Sequence, residues 1–328
     1  MYYRKKQGKG FRYQFEDGKT ITDKELKDYF KSLVIPPAWT EVEISEKKGS
    51  KILVIGRDEK GRKQYIYNPK FRQKQDQKKF DRIIEFAEQL ERMRRVTGQH
   101  LRKRKPTREK VLATMVRLLE SAFFRPGSDF YAKQNASYGL TTMRSKHLEI
   151  NGNELIFTYR GKSGKDQEKH IEDAKLAKIV KEIDDLPGYE IFKFMDENGQ
   201  IQDVKSEHLN QYIREIMGDE FSAKDFRTWS GTMIAAIALD ELDADEEKDQ
   251  KTMDKNIRTA VIQVSEKLGN TPAVARSSYI DPRVIDKYLD GKTLKYFGKE
   301  VNKLLKKNEN LSESEIGVLC LLKERLKP

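Results

Sequence analysis

The chain has 328 residues, 36% of them charged and 37% hydrophobic, with a net charge of +12. That length suggests two domains. No apolar run approaches the ~18 residues of a membrane span, residues 1–12 are polar and basic without an apolar signal segment, and the lone cysteine, Cys320, excludes an internal disulfide. A membrane-spanning helical protein is thereby excluded, and a reducing cytoplasm is expected. The charge is unevenly placed: residues 1–110 hold 31 Lys and Arg against 16 Asp and Glu, whereas the remainder holds 34 against 37. A field of that sign in the first third suits a polyanion such as nucleic acid, although a solvated basic surface would read the same way.

Residues 1–75 read as β-rich with short helices. Residues 22–33 suit a short helix, with Thr22 as N-cap and Glu25 three residues on. Ile35-Pro36-Pro37 stops it. Residues 51–56 (KILVIG) form a strand, 57–62 (RDEKGR) a turn, and 64–67 (QYIY) a second strand, giving a hairpin. From Lys78 the apolar period becomes helical, with Phe80, Ile83, Ile84, Ala87, Leu90 and Met93 in phase. The expected domains are therefore 1–77 and 78–328. Residues 100–105 (HLRKRK) and Pro106 break the pattern, and a second helix over 107–124 puts Val111, Met115, Leu118, Leu119 and Ala122 on one face. The rest reads as mainly helical with one β-hairpin insert: a strand at 147–150, an Asn151-Gly152 turn, and a strand at 155–159. A further turn follows at 161–165 (GKSGK), and the 300–328 tail reads as helix, polar break at 308–314, and helix. The expected class is α+β: a small β-rich N-terminal domain and a larger, mainly α-helical catalytic domain.

Several chemistries are excluded by spacing. Residues 56–63 (GRDEKGRK) lack the Lys-Ser/Thr ending of a phosphate-binding loop, and Gly161-Lys162-Ser163 has Ile156 where the first glycine belongs. One cysteine and four separated histidines make no zinc set. The acidic run 240–249 (DELDADEEKD) lacks calcium-loop spacing and reads as an exposed helix turn. Neither metal nor cofactor is expected.

Residues 268–279 (LGNTPAVARSSY) resemble the active-site segment of type IB topoisomerases of the poxvirus-like bacterial kind, which ends in a nucleophilic tyrosine. Residues 123–127 (FFRPG), 159–162 (YRGK) and 224–228 (KDFRT) resemble that family's first arginine, lysine and second arginine motifs, in order. Residues 61–67 (GRKQYIY) resemble its DNA-contacting strand. The resemblance runs from Lys51 to about Ile285. It implies Tyr279 as nucleophile, Arg125 and Arg227 as phosphate clamps, and Lys162 as general acid assisted by Arg125. It also implies Asn270 at the place where the viral enzymes usually carry histidine. Lys63, Gln64, Tyr65, Tyr67, Tyr131 and Lys224 become the implied DNA contacts.

The same residue types follow from the chemistry. Phosphodiester transfer to a side chain passes through a phosphorane with added negative charge, and without metal fixed cations must stabilise it. Arginine stays charged and its planar fork matches two phosphate oxygens. A phenol with an ordinary pKa of ~10 needs nearby positive charge to attack. Asparagine can donate a hydrogen bond but brings no charge.

Each motif alone has a plainer reading. Arg125 could sit at a helix C-terminus, Lys162 and Lys165 in a solvated turn, and Arg227 in a surface ion pair within a polar turn. Tyr279 could be a half-buried aromatic, and Gln64, Tyr65 and Tyr67 ordinary strand residues. Phe226 and Trp229 read as core, and His147 and His208 as helix or strand surface. The joint order favours an enzyme: a monomer that relaxes supercoiled double-stranded DNA through a 3′-phosphotyrosyl intermediate without ATP. The alternatives are a tyrosine recombinase, against which stand Lys224 in place of the integrase histidine and a β-rich N-terminal region, and a noncatalytic architectural DNA-binding protein.

Overall fold

The computed structural model describes residues 1–243, 249–306, 308 and 310–324. The chain divides into two compact units, Met1–Phe80 and Asp81–Pro328.

The first unit holds strands β1 (Tyr2–Gln7), β2 (Gly10–Gln14), β3 (Thr40–Ile44), β4 (Ile52–Arg57) and β5 (Lys63–Tyr67), with helix α1 (Lys24–Ser32) between β2 and β3. The strands form one antiparallel sheet in the order β2-β1-β3-β4-β5. Its core is Ile21, Phe30, Ile35, Val42, Ile44, Leu53 and Val54. The β4–β5 hairpin is the one the apolar KILVIG run predicts. The β1–β2 hairpin has no such signal, because YYRKKQ alternates poorly and is mostly polar. Arg4, on β1, is only 6% exposed. Its guanidinium donates to the carbonyls of Ile35 (3.0 Å), Pro36 (2.9 Å) and Trp39 (2.8 Å), so a residue of the basic N-terminus is a strut for the Pro36-Pro37 loop. Helix α1 is capped by Asp23 and not by Thr22: the Leu26 N–H donates to Asp23 Oδ1 at 2.7 Å. A carboxylate is the stronger acceptor at the positive end of a helix.

Helix α2 (Pro69–Glu88) begins nine residues before the expected start at Lys78. Its first turns are polar and carry no apolar stripe, and proline suits the first helical position. The second unit continues with α3 (Leu90–His100), α4 (Arg108–Ala122) and α5 (Asp129–Asn135). Next come strands β6 (Leu148–Asn151), β7 (Glu154–Arg160) and β8 (Asp166–Glu172), then α6 (Ala174–Asp184), the strand pair β9 (Lys193–Met195) and β10 (Ile201–Asp203), and α7 (Ser206–Met217). Helices α8 (Ala223–Leu242), α9 (Gln250–Leu268), α10 (Pro272–Ser278), α11 (Pro282–Leu289), α12 (Gly298–Leu305) and α13 (Glu313–Lys323) complete it.

The expected two-stranded insert is a three-stranded antiparallel sheet, β6-β7-β8. The sequence of β8, DQEKHIE, has a single aliphatic residue and gives no strand signal, but the ladder with β7 is complete from Glu154↔Glu172 to Arg160↔Asp166. Helix α4 runs through the middle of the unit, with Val111, Leu112, Ala113, Met115, Val116, Leu118 and Leu119 all fully buried. The tail helices join the same core through Val301, Ile316, Val318, Leu321 and Leu322. Of the acidic run 240–249, residues 244–248 lie outside the described residues; Asp249 caps α9 by accepting from the Thr252 N–H at 2.7 Å. Among the described residues no helix is long and apolar enough to cross a membrane.

Candidate active site

The segment LGNTPAVARSSY is a helix end, a cap and a second helix. Helix α9 closes at Leu268 on Gly269, whose φ of 61° is the left-handed conformation that favours glycine. Thr271 then caps α10 by accepting from the Val274 N–H at 3.4 Å, and Pro272 opens the helix. Tyr279 follows its last turn, half-buried.

Helix α8 receives the tyrosine. A Cβ built on Gly231 would meet the Tyr279 carbonyl oxygen at 2.6 Å and its Cβ at 2.8 Å. Beside it, Thr232 Oγ1 donates to the Tyr279 carbonyl at 3.3 Å and accepts from the Asp281 N–H at 3.2 Å. Gly231→Ala must therefore displace Tyr279. Cleavage by the variant is expected to slow by about 100-fold, since an error near 1 Å in a reacting group costs that much. Its melting temperature should fall by only a few degrees. Single-turnover cleavage alongside thermal melts would check this, and a wild-type cleavage rate would show that the tyrosine tolerates the shift.

The KDFRT segment opens α8 and is not the polar turn that one reading allowed. Asp225 is buried, accepts from the Ser222 N–H at 2.8 Å, and pairs with Arg82 at 2.7 Å. Phe226 and Trp229 are core residues, as their sequence predicts. Arg227, 3% exposed, points into the site. Its Nη2 donates to the Leu268 carbonyl at 2.8 Å and its Nη1 to the Phe123 carbonyl. Phe123 is the left-handed cap of α4, with φ 58°, and that turn ends the helix just before Arg125. The Arg227 guanidinium lies over the Tyr279 ring, with Cζ 5.0 Å from its centroid.

Arg125 follows in the FFRPG turn. Its Nη2 donates to Asn270 Oδ1 at 2.5 Å and to the Gly269 carbonyl at 3.2 Å. The turn is held by the Leu140 N–H, which donates to the Arg125 carbonyl at 2.8 Å. Asn270 thus spends its oxygen on Arg125 and presents its amide. Five buried side-chain polar atoms among the described residues have no hydrogen-bond partner, and two are here: Arg227 Nε and Asn270 Nδ2. Both are donors, and buried donors that lack an acceptor suit an anion.

Burial pushes the Tyr279 phenol up. The Arg227 charge and hydrogen bond, then Arg125 and Lys162, outweigh it, so the net shift is below the ordinary 10. Arg227 is itself lowered, first by burial and then by Arg125. Lys162 is exposed in the short 3₁₀ turn Lys162–Gly164 between β7 and β8, and its charge reaches Tyr279. Four expected residues, Tyr279, Arg125, Arg227 and Asn270, are therefore linked directly or through the α9 terminus, with Lys162 at the rim. Lys224 is exposed in the first turn of α8. Tyr131 is exposed on α5 beside Phe130, their ring centroids 5.5 Å apart.

In the first unit, Lys63, Tyr65 and Tyr67 share one exposed face of β5, with the two tyrosine rings 6.0 Å apart. Gln64 lies on the other face and donates to Asp58 at 3.0 Å. His147 is buried and accepts from the Arg144 N–H at 3.1 Å, where the sequence suggested a surface residue; Tyr138 covers its ring at 4.4 Å. His208 accepts from the Lys205 N–H at 3.3 Å in the first turn of α7. Among the described residues no group of three or more His, Cys, Asp or Glu could hold a metal ion. Sequence reasoning missed Phe123 and Gly231, which act through their backbones and leave no side-chain signal.

Residues 68–308 match the family described as the catalytic core of eukaryotic DNA topoisomerase I, and residues 10–58 match the N-terminal domain of bacterial DNA topoisomerase IB. The chain is 32% identical over 292 residues to DNA topoisomerase 1B of Acanthamoeba polyphaga mimivirus, covering 87% of each chain. It is 23% identical to DNA topoisomerase 1B of vaccinia virus (strain Western Reserve), covering 84% of this chain and 89% of the viral one. A third relative, DNA topoisomerase 1 of Mycosarcoma maydis, is 25% identical over 234 residues but is much longer, with 22% of it covered.

Proposed function

The chain belongs to the type IB DNA topoisomerases, and from that membership we propose that it relaxes supercoiled double-stranded DNA as a monomer, by transient cleavage and religation of one strand. Tyr279 attacks the scissile phosphorus and forms a 3′-phosphotyrosyl bond while the 5′ oxygen leaves as a hydroxyl. The bond energy is kept in that linkage, so resealing by the same hydroxyl needs no ATP. Rotation of the free end in between releases torsion.

Where the groups point supports these roles. Arg227 lies over the nucleophile's ring and helps lower its pKa. With Arg125 it supplies the fixed positive charge that the phosphorane requires. Asn270 Nδ2, a buried donor without a protein acceptor, serves a non-bridging oxygen. Lys162, exposed in its turn, protonates the leaving oxygen. All five residues lie in the second unit, so one chain supplies a whole site. In the first unit, the exposed Lys63, Tyr65 and Tyr67 face is suited to a DNA backbone, and residues 1–77 act as the DNA clamp. Lys224 and Tyr131 offer further exposed contacts.

The Arg227 guanidinium over the Tyr279 ring, the Arg125 charge acting on the same phenol, and the acceptorless donors Arg227 Nε and Asn270 Nδ2 together carry this reading. The test is relaxation of a negatively supercoiled plasmid in excess EDTA without nucleotide, followed by denaturation and mapping of the peptide left on the DNA. Full relaxation with DNA attached to Tyr279 is expected. Loss of activity that magnesium fully restores, or attachment to another residue, would sink the mechanism.

A further inference from the structure

In β8 the side chains of Gln167, Lys169 and Ile171 fall on one side and those of Glu168 and His170 on the other. The inward side is the core side: Ile171 pairs across the ladder with the fully buried Leu155, and Lys169 with the fully buried Phe157. Lys169 is half-buried there, between Gln167 and Ile171, and a partly desolvated ammonium needs partners. Its Nζ donates to the carbonyl of Lys267 at 2.8 Å. The next carbonyl along the chain, Leu268, accepts from Arg227 at 2.8 Å, and the next, Gly269, from Arg125 at 3.2 Å. Three successive carbonyls at the end of α9 thus hold three cations. That is the negative end of the helix dipole. Among the described residues none of the three cations forms an ion pair with a carboxylate. Carbonyls, the helix dipole, the Asn270 side-chain oxygen and the Tyr279 ring are what offset them, and they repel one another.

From this row of cations we propose that Lys169 is a third cation of the phosphate site, and that the site takes up a proton on Lys169 when the DNA phosphate arrives. The proposal rests on the topoisomerase reading of the same site. Burial first, then Arg227 and Arg125, push the Lys169 amine down to about 8, so much of it is neutral in mildly alkaline solution. The other titratable groups around it cannot supply that proton change. Tyr159 on β7 is pushed up to about 12, first by burial, and Arg125 and Arg227 stay charged. On β8 itself, Glu168 and His170 face away and bond to each other, and His170 also bonds to Glu154. On α4, which packs against β8, Arg117 pairs with Glu120. An incoming phosphate supplies the anion the cations lack and restores the lysine's charge. The sign follows: a group protonated more readily in the bound state favours binding at low pH, and affinity weakens as pH rises through 8.

The experiment is calorimetry of a short DNA duplex binding to Tyr279→Phe protein, which excludes covalent chemistry, at pH 8 in two buffers of different ionisation enthalpy. Net proton uptake on binding is expected, as for a group whose pKa is lowered in the free protein and restored in the complex. Lys169→Arg keeps the charge at all accessible pH, so the uptake should vanish while affinity is retained. Unchanged uptake in that variant overturns the proposal. Lys169→Met, confirmed folded by its melt, should lose the uptake and bind several-fold more weakly at pH 7 but near-equally at pH 9. An equal defect at both pH values would also overturn it, since a lysine that only packs β8 would behave that way. Failure of the topoisomerase reading would show separately, as absent plasmid relaxation by the wild type.

Discussion

Tyr279→Phe is expected to abolish plasmid relaxation while leaving DNA affinity nearly unchanged. The ring remains, and with it the 5.0 Å contact to the Arg227 guanidinium. The backbone carbonyl still accepts from Thr232, and Gly231 still gives the room it sits in. Only the attacking oxygen is lost. Where a covalent nucleophile is removed from an enzyme, kcat falls by a factor on the order of a million, beyond the reach of a gel-based relaxation assay. Fluorescence anisotropy with labelled duplex would report binding in parallel. A variant that still relaxed DNA at a measurable fraction of the wild-type rate would reassign the nucleophile. The wild type carries a matching pH signature. Because Arg227, Arg125 and Lys162 together outweigh the upward push of burial, the phenol ionises below 10. Single-turnover cleavage should rise with pH and level off below that value, where an unshifted phenol would still be climbing.

What the sequence revealed and what it concealed have different physical origins. The proposed chemistry has a signature in the sequence because it would depend on side chains whose types cannot be exchanged: a guanidinium, an amine, a second guanidinium, an amide donor and a phenol, in that order along the chain. Helix α4 was legible because Val111, Met115, Leu118 and Leu119 fall at helical spacing, although the expected single apolar face is in fact a helix buried on nearly every side. Strand β8 was hidden because its neighbours supply the apolar surface, so DQEKHIE has little reason to be apolar itself. The start of α2 was hidden for a different reason: its first turns are largely exposed and carry no apolar stripe. The architecture of the site was hidden more thoroughly. The α9 terminus that gathers Lys169, Arg227 and Arg125 does so with main-chain oxygens, which every residue possesses. Gly269 marks that terminus, but a lone glycine does not announce which cations come to it. Asn270 now has a physical account: its oxygen fixes Arg125, and its amide keeps a donor in the site.

The role of Lys162 can be separated from that of the arginines by changing the leaving atom. An alcohol has a pKa comparable with that of water, ~15.7, so its departure requires a proton in the transition state. A thiol, at ~8.5 for cysteine, departs as thiolate without one. Lys162→Ala should therefore cleave ordinary DNA slower by about a thousandfold, within the 10²–10⁴ range of general-acid contributions. It should recover most of the wild-type rate on DNA whose bridging 5′ oxygen is sulfur. The fold should not suffer, because Lys162 is exposed in a turn and forms no hydrogen bond or ion pair among the described residues. Arg227→Ala is the contrast. It removes charge from the phosphorane and two carbonyl contacts, one to Leu268 at the α9 terminus and one to Phe123 at the end of α4, and neither loss depends on the leaving atom. Sulfur should leave that defect in place. A Lys162→Ala defect equally indifferent to sulfur would make Lys162 a phosphate clamp. The acid would then be sought at Arg125, whose Nη2 is held by Asn270 Oδ1 and the Gly269 carbonyl, leaving the N–H groups on its other nitrogens for the leaving oxygen.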